Sequence, residues 1–288
     1  INIPGKKISV ESLTEKDKSD LAFCLDNNID YIALSFVRDA ADLITLKQII
    51  QQSAKNIPVI AKIETPLAVQ NIDQIILECD GIMVARGDLG VEMPLENIPV
   101  IQKELIEKAV LRHKLVITAT QMLESMTYAA RPTRAEVTDV ANAIFDGTDA
   151  VMLSGETAIG HFPIETVKMM KSIAIEADNS KFVRNYSNQR DTDKANLELA
   201  TTTAAFAAYE EAEAKAFLVF TMTGNTSRYL SKLNPLIPIL AITPEIQTYQ
   251  RMALQRHVIP ILTGWAKNRT PSVQEGVDVL LERKLVKP

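Results

Sequence analysis

Residues 59–66 read Val-Ile-Ala-Lys-Ile-Glu-Thr-Pro, and this stretch sets a pattern that recurs along much of the chain. A short apolar run ends in charged residues and a proline, as expected of a parallel strand that is buried on both faces. Four similar runs occupy residues 30–36, 81–86, 115–120 and 149–154. Helical patterns separate the runs, at residues 40–54 and 95–112 and after the capping-box pair Thr133 and Glu136.

The polar residues that end these runs are regularly spaced. Glu64, Asp88, Thr120 and Ser154 follow one another at intervals of 24, 32 and 34 residues. Intervals near 30 are typical of repeated strand–helix units. Five such units predict an α/β protein that contains part of a (β/α)₈ TIM barrel.

A second, smaller alternation follows a polar stretch near residues 181–194. Strands are predicted there at residues 216–221, 237–242 and 258–262, with helices between them. This pattern indicates a smaller open α/β domain. We therefore predict a barrel domain at residues 12–180 and a second α/β domain at residues 181–288.

Composition and charge exclude several classes of protein. The 288 residues carry a net charge of −5, whereas nucleic-acid-binding proteins usually have a basic excess, so we expect no nucleic-acid partner. No apolar run reaches the roughly 18 residues that a membrane-spanning helix needs, so we expect no membrane partner. Cys24 and Cys79 lie in apolar segments, which predicts reduced, buried thiols in a cytoplasmic protein.

Two clusters at predicted strand ends carry opposite charges. Because side chains alternate along a strand, Lys62 and Glu64 point to the same face, at the mouth of the barrel. Glu64 and Asp88 offer the hard carboxylate oxygens that suit Mg²⁺, and the amides of Gly87 and Asp88 suit a substrate carboxylate. A surface ion pair for Lys62 and Glu64, and an ordinary Gly-Asp turn, are the alternatives.

Hydroxyl groups end the next two predicted strands. Thr120 could bind an anion or a catalytic water, and a purely structural threonine is the alternative. Ser154 lies in Leu-Ser-Gly-Glu-Thr rather than in Gly-x-Ser-x-Gly, and no histidine is placed to activate it, which excludes a serine hydrolase. The glycine-rich nucleotide-binding motifs are absent from the sequence as well.

The order and wording of seven motifs resemble the pyruvate kinase family. They are Asn-Ile-Pro-Gly (2–5), Leu-Thr-Glu-Lys-Asp (13–17), Ala-Lys-Ile-Glu (61–64), Arg-Gly-Asp-Leu-Gly (86–90), Thr-Ala-Thr-Gln-Met-Leu-Glu-Ser-Met (118–126), Arg-Pro-Thr-Arg-Ala-Glu (131–136) and Met-Leu-Ser-Gly-Glu-Thr-Ala (152–158). The resemblance extends over essentially the whole chain and is looser beyond Asn179. It implies phosphoryl transfer from phosphoenolpyruvate to ADP, giving pyruvate and ATP in glycolysis.

The resemblance also implies roles for single residues. Lys62 would stabilise the transferring phosphoryl group, and Glu64 and Asp88 would bind Mg²⁺ or Mn²⁺. The amides of Gly87 and Asp88, together with Thr120, would bind the substrate carboxylate. The residues implied in delivering a proton to the enolate are Thr120, Ser154 and Glu156.

Further partners are implied by the same resemblance. A strand–helix loop in the second domain resembles the family's sugar-phosphate effector site, and simple helix capping is the alternative. A K⁺ site is expected with residues outside this chain. Arg131 and Arg134 fall where the family packs its subunits, which implies a homo-oligomer, a tetramer in the family. The strand–helix loop that resembles the sugar-phosphate effector site consists of Thr221, Thr223, Gly224, Asn225 and Thr226.

Because the family that the chain resembles has further segments, we expect the chain to be a piece of a longer protein. Residues 1–11 would end a lid domain, and three barrel strands would precede them. A barrel opened after five strands has two edges, where each buried unpaired backbone group costs about 1–3 kcal/mol. The total would exceed the ~5–15 kcal/mol by which domains are stable. We therefore expect the isolated chain to be inactive, and to be unstable, to aggregate or to borrow strands.

Two other classes of function stay open at this point. A Mg²⁺-dependent barrel lyase or aldolase that forms a pyruvate enolate would also place glutamate and aspartate at strand ends. The Ala-Lys-Ile-Glu motif (61–64) and the second domain argue against it, and turnover without ADP would favour it. A non-catalytic binding module would keep only the metal and effector sites.

Overall fold

The structure, a computed structural model, describes residues 13–184, 197–264 and 273–284. The chain divides into two compact units, Ile1–Asn185 and Tyr186–Pro288. The predicted lid segment at residues 1–11 lies outside the described residues, as does much of the polar stretch between the predicted domains. The predicted domain limits therefore stay predictions.

The first unit is built on a parallel sheet of five strands. They pair strictly in sequence order, and every described pairing is parallel. Sequential parallel strands joined by helices are the arrangement of a β/α barrel, so the predicted fold class is confirmed. The strands are β1 (Ile32–Leu34), β2 (Val59–Ile63), β3 (Gly81–Ala85), β4 (Leu115–Ala119) and β5 (Ala150–Met152).

Helices precede, connect and follow these strands, and several begin at side-chain caps. Asp39 accepts hydrogen bonds from the amides of Ala41 and Asp42 at the start of the second helix, and Thr133 and Glu136 form the predicted capping box. Two short 3₁₀ turns lie at Leu95–Asn97 and Glu124–Thr127. The α-helices are α1 (Glu15–Asp26), α2 (Ala40–Gln52), α3 (Pro66–Gln70), α4 (Ile72–Glu78), α5 (Arg86–Glu92), α6 (Ile98–Leu111), α7 (Arg134–Phe145), α8 (Gly155–Ala158) and α9 (Pro163–Asp178).

The central strands are buried on both faces. Every residue of β3 and β4 is buried, and so is every residue of β2 except Lys62. Ile60, Met83, Ile117 and Ala119 form one cluster on a single face of the sheet. Because side chains alternate and Lys62 pairs with Met83, Lys62 lies on that same face.

Aspartates close the opposite, amino-terminal end of the sheet. Asp80 precedes β3, and its carboxylate accepts the amide of Val59 at 2.9 Å while its own amide donates to the Val59 carbonyl at 2.8 Å. Asp149 precedes β5 and makes the same reciprocal pair with Val116, at 2.7 and 2.9 Å. Each aspartate thus extends the pairing of two neighbouring strands beyond their hydrogen-bonded ladder.

The second unit contains a parallel sheet of three strands with helices on both faces. Val219, Leu230 and Ile239 pack on one face, and Leu240, Ile261 and Leu280 pack on the other. This layered arrangement confirms the predicted open α/β domain. Its elements are α10 (Leu197–Glu211), β6 (Phe217–Phe220), α11 (Asn225–Lys232), β7 (Ile239–Thr243), α12 (Ile246–Met252), β8 (Val258–Leu262) and α13 (Val273–Glu282).

Two sequence predictions need correction. The middle strand of the second unit begins at Ile239, not at residue 237, because Pro238 has no amide to donate. Cys79 is buried as predicted, and burial raises the pKa of its thiol to about 11. Cys24 is only partly buried on α1, and both thiols are free.

No helix within residues 13–184, 197–264 and 273–284 combines the length and the apolar character needed to cross a bilayer.

The capping box of α7 predicts a pH-dependent stability. Burial by itself would raise the pKa of Glu136, but hydrogen bonds from Ser125 and Thr133 outweigh it and lower that pKa below its ordinary value of 4.5. A lowered folded-state pKa stabilises the protein above pH 4.5, and this contribution is lost as the pH falls through the folded value. Glu136→Gln should therefore cost about 1 kcal/mol at pH 7 and progressively less below pH 4.5.

Thermal melts of the wild type and of Glu136→Gln across pH 3 to pH 7 would measure this difference. Glu165→Gln is the matched control, because Glu165 is an exposed glutamate in the first turn of α9. A difference in melting temperature between the wild type and Glu136→Gln that is the same at the lowest and the highest pH would contradict the link between Glu136 ionisation and stability.

Candidate active site

The candidate residues of the first unit collect at the carboxyl ends of β2 to β5. Pairing of Ile63 with Val84, and of Ala85 with Ala119, brings the ends of three strands level. Active sites of β/α barrels lie at this edge, because the loops that follow the strands meet there. The residues placed there are Lys62, Glu64, Gly87, Asp88, Thr120, Ser154 and Glu156.

Lys62 and Glu64, which were predicted to point to the same face, form an ion pair with 2.7 Å between Nζ and Oε1. The pair is not a surface contact, because the Glu64 side chain is only 2% exposed and that of Lys62 is 26% exposed. The amide of Phe36 donates to the second oxygen of Glu64 at 2.7 Å, and Nζ of Lys62 donates to the hydroxyl of Ser35 at 2.9 Å. The loop after β1 therefore fixes both members of the pair.

The Gly-Asp cluster is helical. Arg86–Glu92 forms α5 directly after β3, so the alternative of an ordinary Gly-Asp turn is wrong. Asp88 lies in the first turn of α5 and is half-buried. In the described part of the chain, its carboxylate takes part in no hydrogen bond or ion pair, so both of its oxygens are available to a ligand.

Gly87 and Thr120 are brought into direct contact. The amide of Gly87 donates to the hydroxyl oxygen of Thr120 at 2.8 Å, and that hydroxyl donates to the carbonyl of Ala119 at 2.5 Å. A substrate carboxylate can therefore accept a hydrogen bond from the Gly87 amide only if it displaces the Thr120 hydroxyl oxygen, which accepts that hydrogen bond in the structure.

The chain turns sharply after β4. Thr120 has φ of 72° and Gln121 has φ of 53°, which places two successive non-glycine residues in the left-handed region. Left-handed backbone costs about 1–3 kcal/mol for such residues and persists only where the surroundings hold it. The turn directs the Thr120 hydroxyl back towards Gly87.

Arg86 is the residue that holds this turn, and the sequence analysis gave it no role. Its Nη2 donates to the carbonyl of Thr120 at 2.6 Å. Its Nη1 donates to both oxygens of Asp139, at 2.6 and 2.7 Å, and its side chain is only 9% exposed. A charged residue at the end of a fully apolar strand was the signal available in the sequence.

Glu156 and Ser154 belong to a second contact between loops. The Oε2 of Glu156 accepts the amide of Ser154 at 2.7 Å, and Oε1 accepts the amide of Leu123 at 3.3 Å. Glu156 is fully buried, whereas Ser154 is partly exposed. Of the residues implied in proton delivery, only Thr120 and Ser154 have exposed surface.

Within the described residues, no group of three or more histidine, cysteine, aspartate or glutamate side chains could hold a metal ion. Glu64 and Asp88 supply two carboxylates at neighbouring strand ends. This donor set fits Mg²⁺, which usually takes one or two protein carboxylates and completes its shell with water and substrate oxygens.

The predicted effector loop of the second unit lies between β6 and α11. Gly224 has φ of 78°, and its amide donates to the hydroxyl of Thr221 at 2.9 Å. Both residues are buried, whereas Thr223 is exposed and Asn225 is half-buried. The hydroxyl of Thr226 donates to a carboxylate oxygen of Glu198, which places an anion beside the loop.

Comparisons with known proteins agree with this arrangement. The family model described as "Pyruvate kinase, barrel domain" matches residues 1–167, and "Pyruvate kinase, alpha/beta domain" matches residues 199–288.

The chain belongs to the pyruvate kinase family.

Individual relatives cover nearly the whole chain. Pyruvate kinase 2 of Synechocystis sp. is 44% identical over 287 residues, which cover 100% of this chain and 48% of that protein. Pyruvate kinase of Clostridium acetobutylicum is 43% identical over 98% of this chain and 60% of its own length. A crystal structure of a pyruvate kinase from Cryptosporidium parvum has a TM-score of 0.92 at 38% identity, over 99% of this chain and 60% of that one. The chain thus spans about half to three fifths of these pyruvate kinases.

Replacement of Arg86 tests whether it holds the turn after β4. Arg86→Leu should destabilise the protein by about 3 kcal/mol, because Asp139 and the carbonyl of Thr120 both lose a nearly buried cationic donor. Asp139→Asn should cost about 1 kcal/mol, because Arg86 keeps its carbonyl partner. Urea unfolding of both variants would measure the difference. Equal costs would mean that only the ion pair matters and that the turn needs no support from Arg86.

Proposed function

We propose that the protein carrying this chain transfers the phosphoryl group of phosphoenolpyruvate to ADP, giving pyruvate and ATP, as a step of glycolysis. The observation that supports this most directly is the Lys62–Glu64 pair, with a Nζ–Oε1 distance of 2.7 Å and a buried glutamate, together with the unengaged carboxylate of Asp88 after the neighbouring strand. Phosphoryl transfer depends on positioning and charge neutralisation rather than on covalent help from the protein.

Lys62 is the cation in this proposal. Its ammonium group is held by Glu64 and Ser35 at the mouth of the barrel, and its side chain is about one quarter exposed. A cation fixed in advance stabilises the charge on the transferring group without reorganisation during the reaction. Removal of such a group typically costs about 100- to 1,000-fold in turnover.

Glu64 and Asp88 are the proposed ligands of Mg²⁺ or Mn²⁺. When bound, the ion would supply neutralisation of the negative oxygens on the phosphoryl group. Glu64 already engages both of its oxygens with Lys62 and Phe36, so its contribution is a fixed carboxylate rather than a mobile one. Dependence on K⁺ is part of the same proposal, with the K⁺ ligands outside this chain.

The substrate carboxylate is proposed to bind at Gly87, Asp88 and Thr120. It would accept a hydrogen bond from the amide of Gly87, which now donates to Thr120. To bond the substrate as well, the Thr120 hydroxyl would turn its hydrogen away from the carbonyl of Ala119. Thr120 and Ser154 are the proposed route by which a proton reaches the enolate carbon, since both hydroxyls have exposed surface at the strand ends.

A cell compartment and an effector site are also proposed. Two free cysteines favour the cytoplasm. The loop of Thr221, Thr223, Gly224, Asn225 and Thr226 is proposed as a sugar-phosphate effector site, although Glu198 lies beside it.

A homo-oligomer is proposed as well. A cavity of about 460 Å³ between α6 and α7 is lined by Arg86 and Arg134, and the exposed side chains of Leu95 and Val100 lie on the neighbouring 3₁₀ turn and α6. Exposed apolar side chains beside polar and charged groups are typical of protein–protein interaction sites.

The isolated chain is proposed to be incomplete for catalysis. Within the described residues, β1 and β5 each pair on one side only, so this sheet is open at both edges. A closed barrel has no such edges.

Replacement of Lys62 tests the proposed reaction. In the complete protein, Lys62→Met should lower pyruvate release from phosphoenolpyruvate and ADP by about 100- to 1,000-fold, because the phosphoryl group loses its fixed cation. Binding of Mn²⁺, measured by electron paramagnetic resonance, should be retained because Glu64 and Asp88 remain. Lys168→Met is the matched control, since Lys168 is an exposed lysine on α9. Turnover that persists in Lys62→Met at the wild-type rate would remove Lys62 from the mechanism.

A second experiment compares the 288-residue chain with the complete protein. We expect the complete protein to release pyruvate as a homo-oligomer and the chain by itself to release none, because its sheet keeps two unpaired edges. Light scattering and a coupled pyruvate assay on the same samples would measure both properties. Full turnover by a monomeric 288-residue chain would contradict the proposed incompleteness.

A further inference from the structure

Glu156 is a buried carboxylate whose two oxygens bind two different loops. It lies in the short helix α8, and its residue exposure is 0%. One oxygen accepts the amide of Ser154, where the chain leaves β5, at 2.7 Å. The other accepts the amide of Leu123, in the loop that follows β4, at 3.3 Å.

These two loops carry both hydroxyls of the candidate site. β4 and β5 pair in parallel, with Ala119 opposite Met152, so Thr120 and Ser154 leave the sheet side by side. Leu123 lies three residues beyond Thr120, and its fully buried side chain belongs to the same apolar cluster as Met126. The Glu156 carboxylate therefore links the loop of Thr120 to the loop of Ser154, and a backbone hydrogen bond from His161 to the carbonyl of Thr127, at 2.8 Å, joins the same two segments farther from the strand ends.

The geometry does not suit a group that exchanges protons with a ligand. A fully buried carboxylate has no surface for a substrate to touch, and both of its oxygens already accept hydrogen bonds from backbone amides. Thr120 and Ser154, by contrast, are partly exposed. The carboxylate can thus act on a reaction only through the loops that it holds.

We propose that Glu156 is a positioning residue, which sets the distance between the Thr120 and Ser154 loops, and not a proton donor. This inference rests on the proposed phosphoryl-transfer function, because the loops matter to catalysis only if their hydroxyls serve that reaction. A displacement of catalytic groups by about 1 Å can cost on the order of 100-fold in rate, so loss of the link should be visible in turnover.

Two substitutions at Glu156 remove one or both of the hydrogen bonds that link the two loops. Glu156→Gln keeps one acceptor oxygen but turns an amide group towards a backbone donor, so one of the two contacts is lost. Glu156→Ala loses both contacts and leaves two backbone amides without a partner. In the complete protein, kcat should fall by about 10-fold for the glutamine variant and by about 100-fold for the alanine variant.

A direct readout of the link does not depend on turnover. Hydrogen–deuterium exchange, followed by mass spectrometry, should accelerate by about tenfold in residues 120–127 and also in residues 153–159, since lost hydrogen bonds weaken local closure. Both segments should respond to a change at one side chain. Glu165→Gln, which alters an exposed glutamate on α9, is the control and should leave exchange and turnover unchanged.

The pH profile separates positioning from proton transfer. If Glu156 positions the loops, kcat of Glu156→Gln falls by a constant factor across the pH range, and the limbs of the profile keep their apparent pKa values. Loss of a limb, together with unchanged exchange in both segments, would show that Glu156 acts in the chemistry itself and would overturn the proposal. Wild-type turnover in Glu156→Gln would overturn it as well.

Failure of the proposed function would look different from failure of this inference. A complete wild-type protein that releases no pyruvate would overturn the reaction that the loops are proposed to serve, whatever the exchange data show. Accelerated exchange confined to residues 153–159 would instead overturn the link between the loops and leave the proposed reaction untouched. Because the alanine variant risks unfolding, its melting curve is measured alongside, and the glutamine variant, which keeps the shape of the side chain, decides the outcome.

Discussion

Parallel pairing of buried strands is the constraint on which the rest of the structure depends. Water does not reach the centre of a sheet that is covered on both faces, so every residue of β3 and β4 is apolar or hydrogen-bonded within the protein. Polar side chains can reach solvent only where the strands end. Since the strands run in one direction and pair in register, their carboxyl ends coincide, and Lys62, Asp88 and Thr120 meet at one edge.

Carboxylates at this edge are accommodated by three different physical means. Glu64 is compensated by a cation, the ammonium group of Lys62. Within the described residues, Glu156 is held by the backbone amides of Leu123 and Ser154 and by no cation. Glu136 completes a helix cap and accepts two hydroxyls as well as amides. Of these four carboxylates, Asp88 alone makes no hydrogen bond or ion pair within the described residues, so its oxygens are the most accessible to a ligand.

Much of this arrangement could be predicted from the sequence, and the reasons for success and failure are physical. Period-2 alternation places Lys62 and Glu64 on one face without knowledge of the fold, and the ion pair between them follows. Strand and helix identities follow from apolar runs and from caps such as Thr133. Arg86 escaped prediction because its partners lie 16 to 53 residues away in the chain, and local patterns carry no information on such contacts. The helical form of residues 86–92 was missed because two glycines there favour a turn by propensity, while packing of Leu89 in the core stabilises a helix.

The left-handed backbone at Thr120 has an evolutionary consequence. At a position with φ of 72°, glycine would relieve strain and asparagine would tolerate it better than a β-branched residue. Either change would give up the methyl-bearing hydroxyl that sits against Gly87. A substitution at this position therefore exchanges relief of backbone strain for loss of the hydrogen bond between the Gly87 amide and the Thr120 hydroxyl. The cost is balanced by the guanidinium group of Arg86 on the neighbouring strand end, so the two positions are expected to change together or not at all.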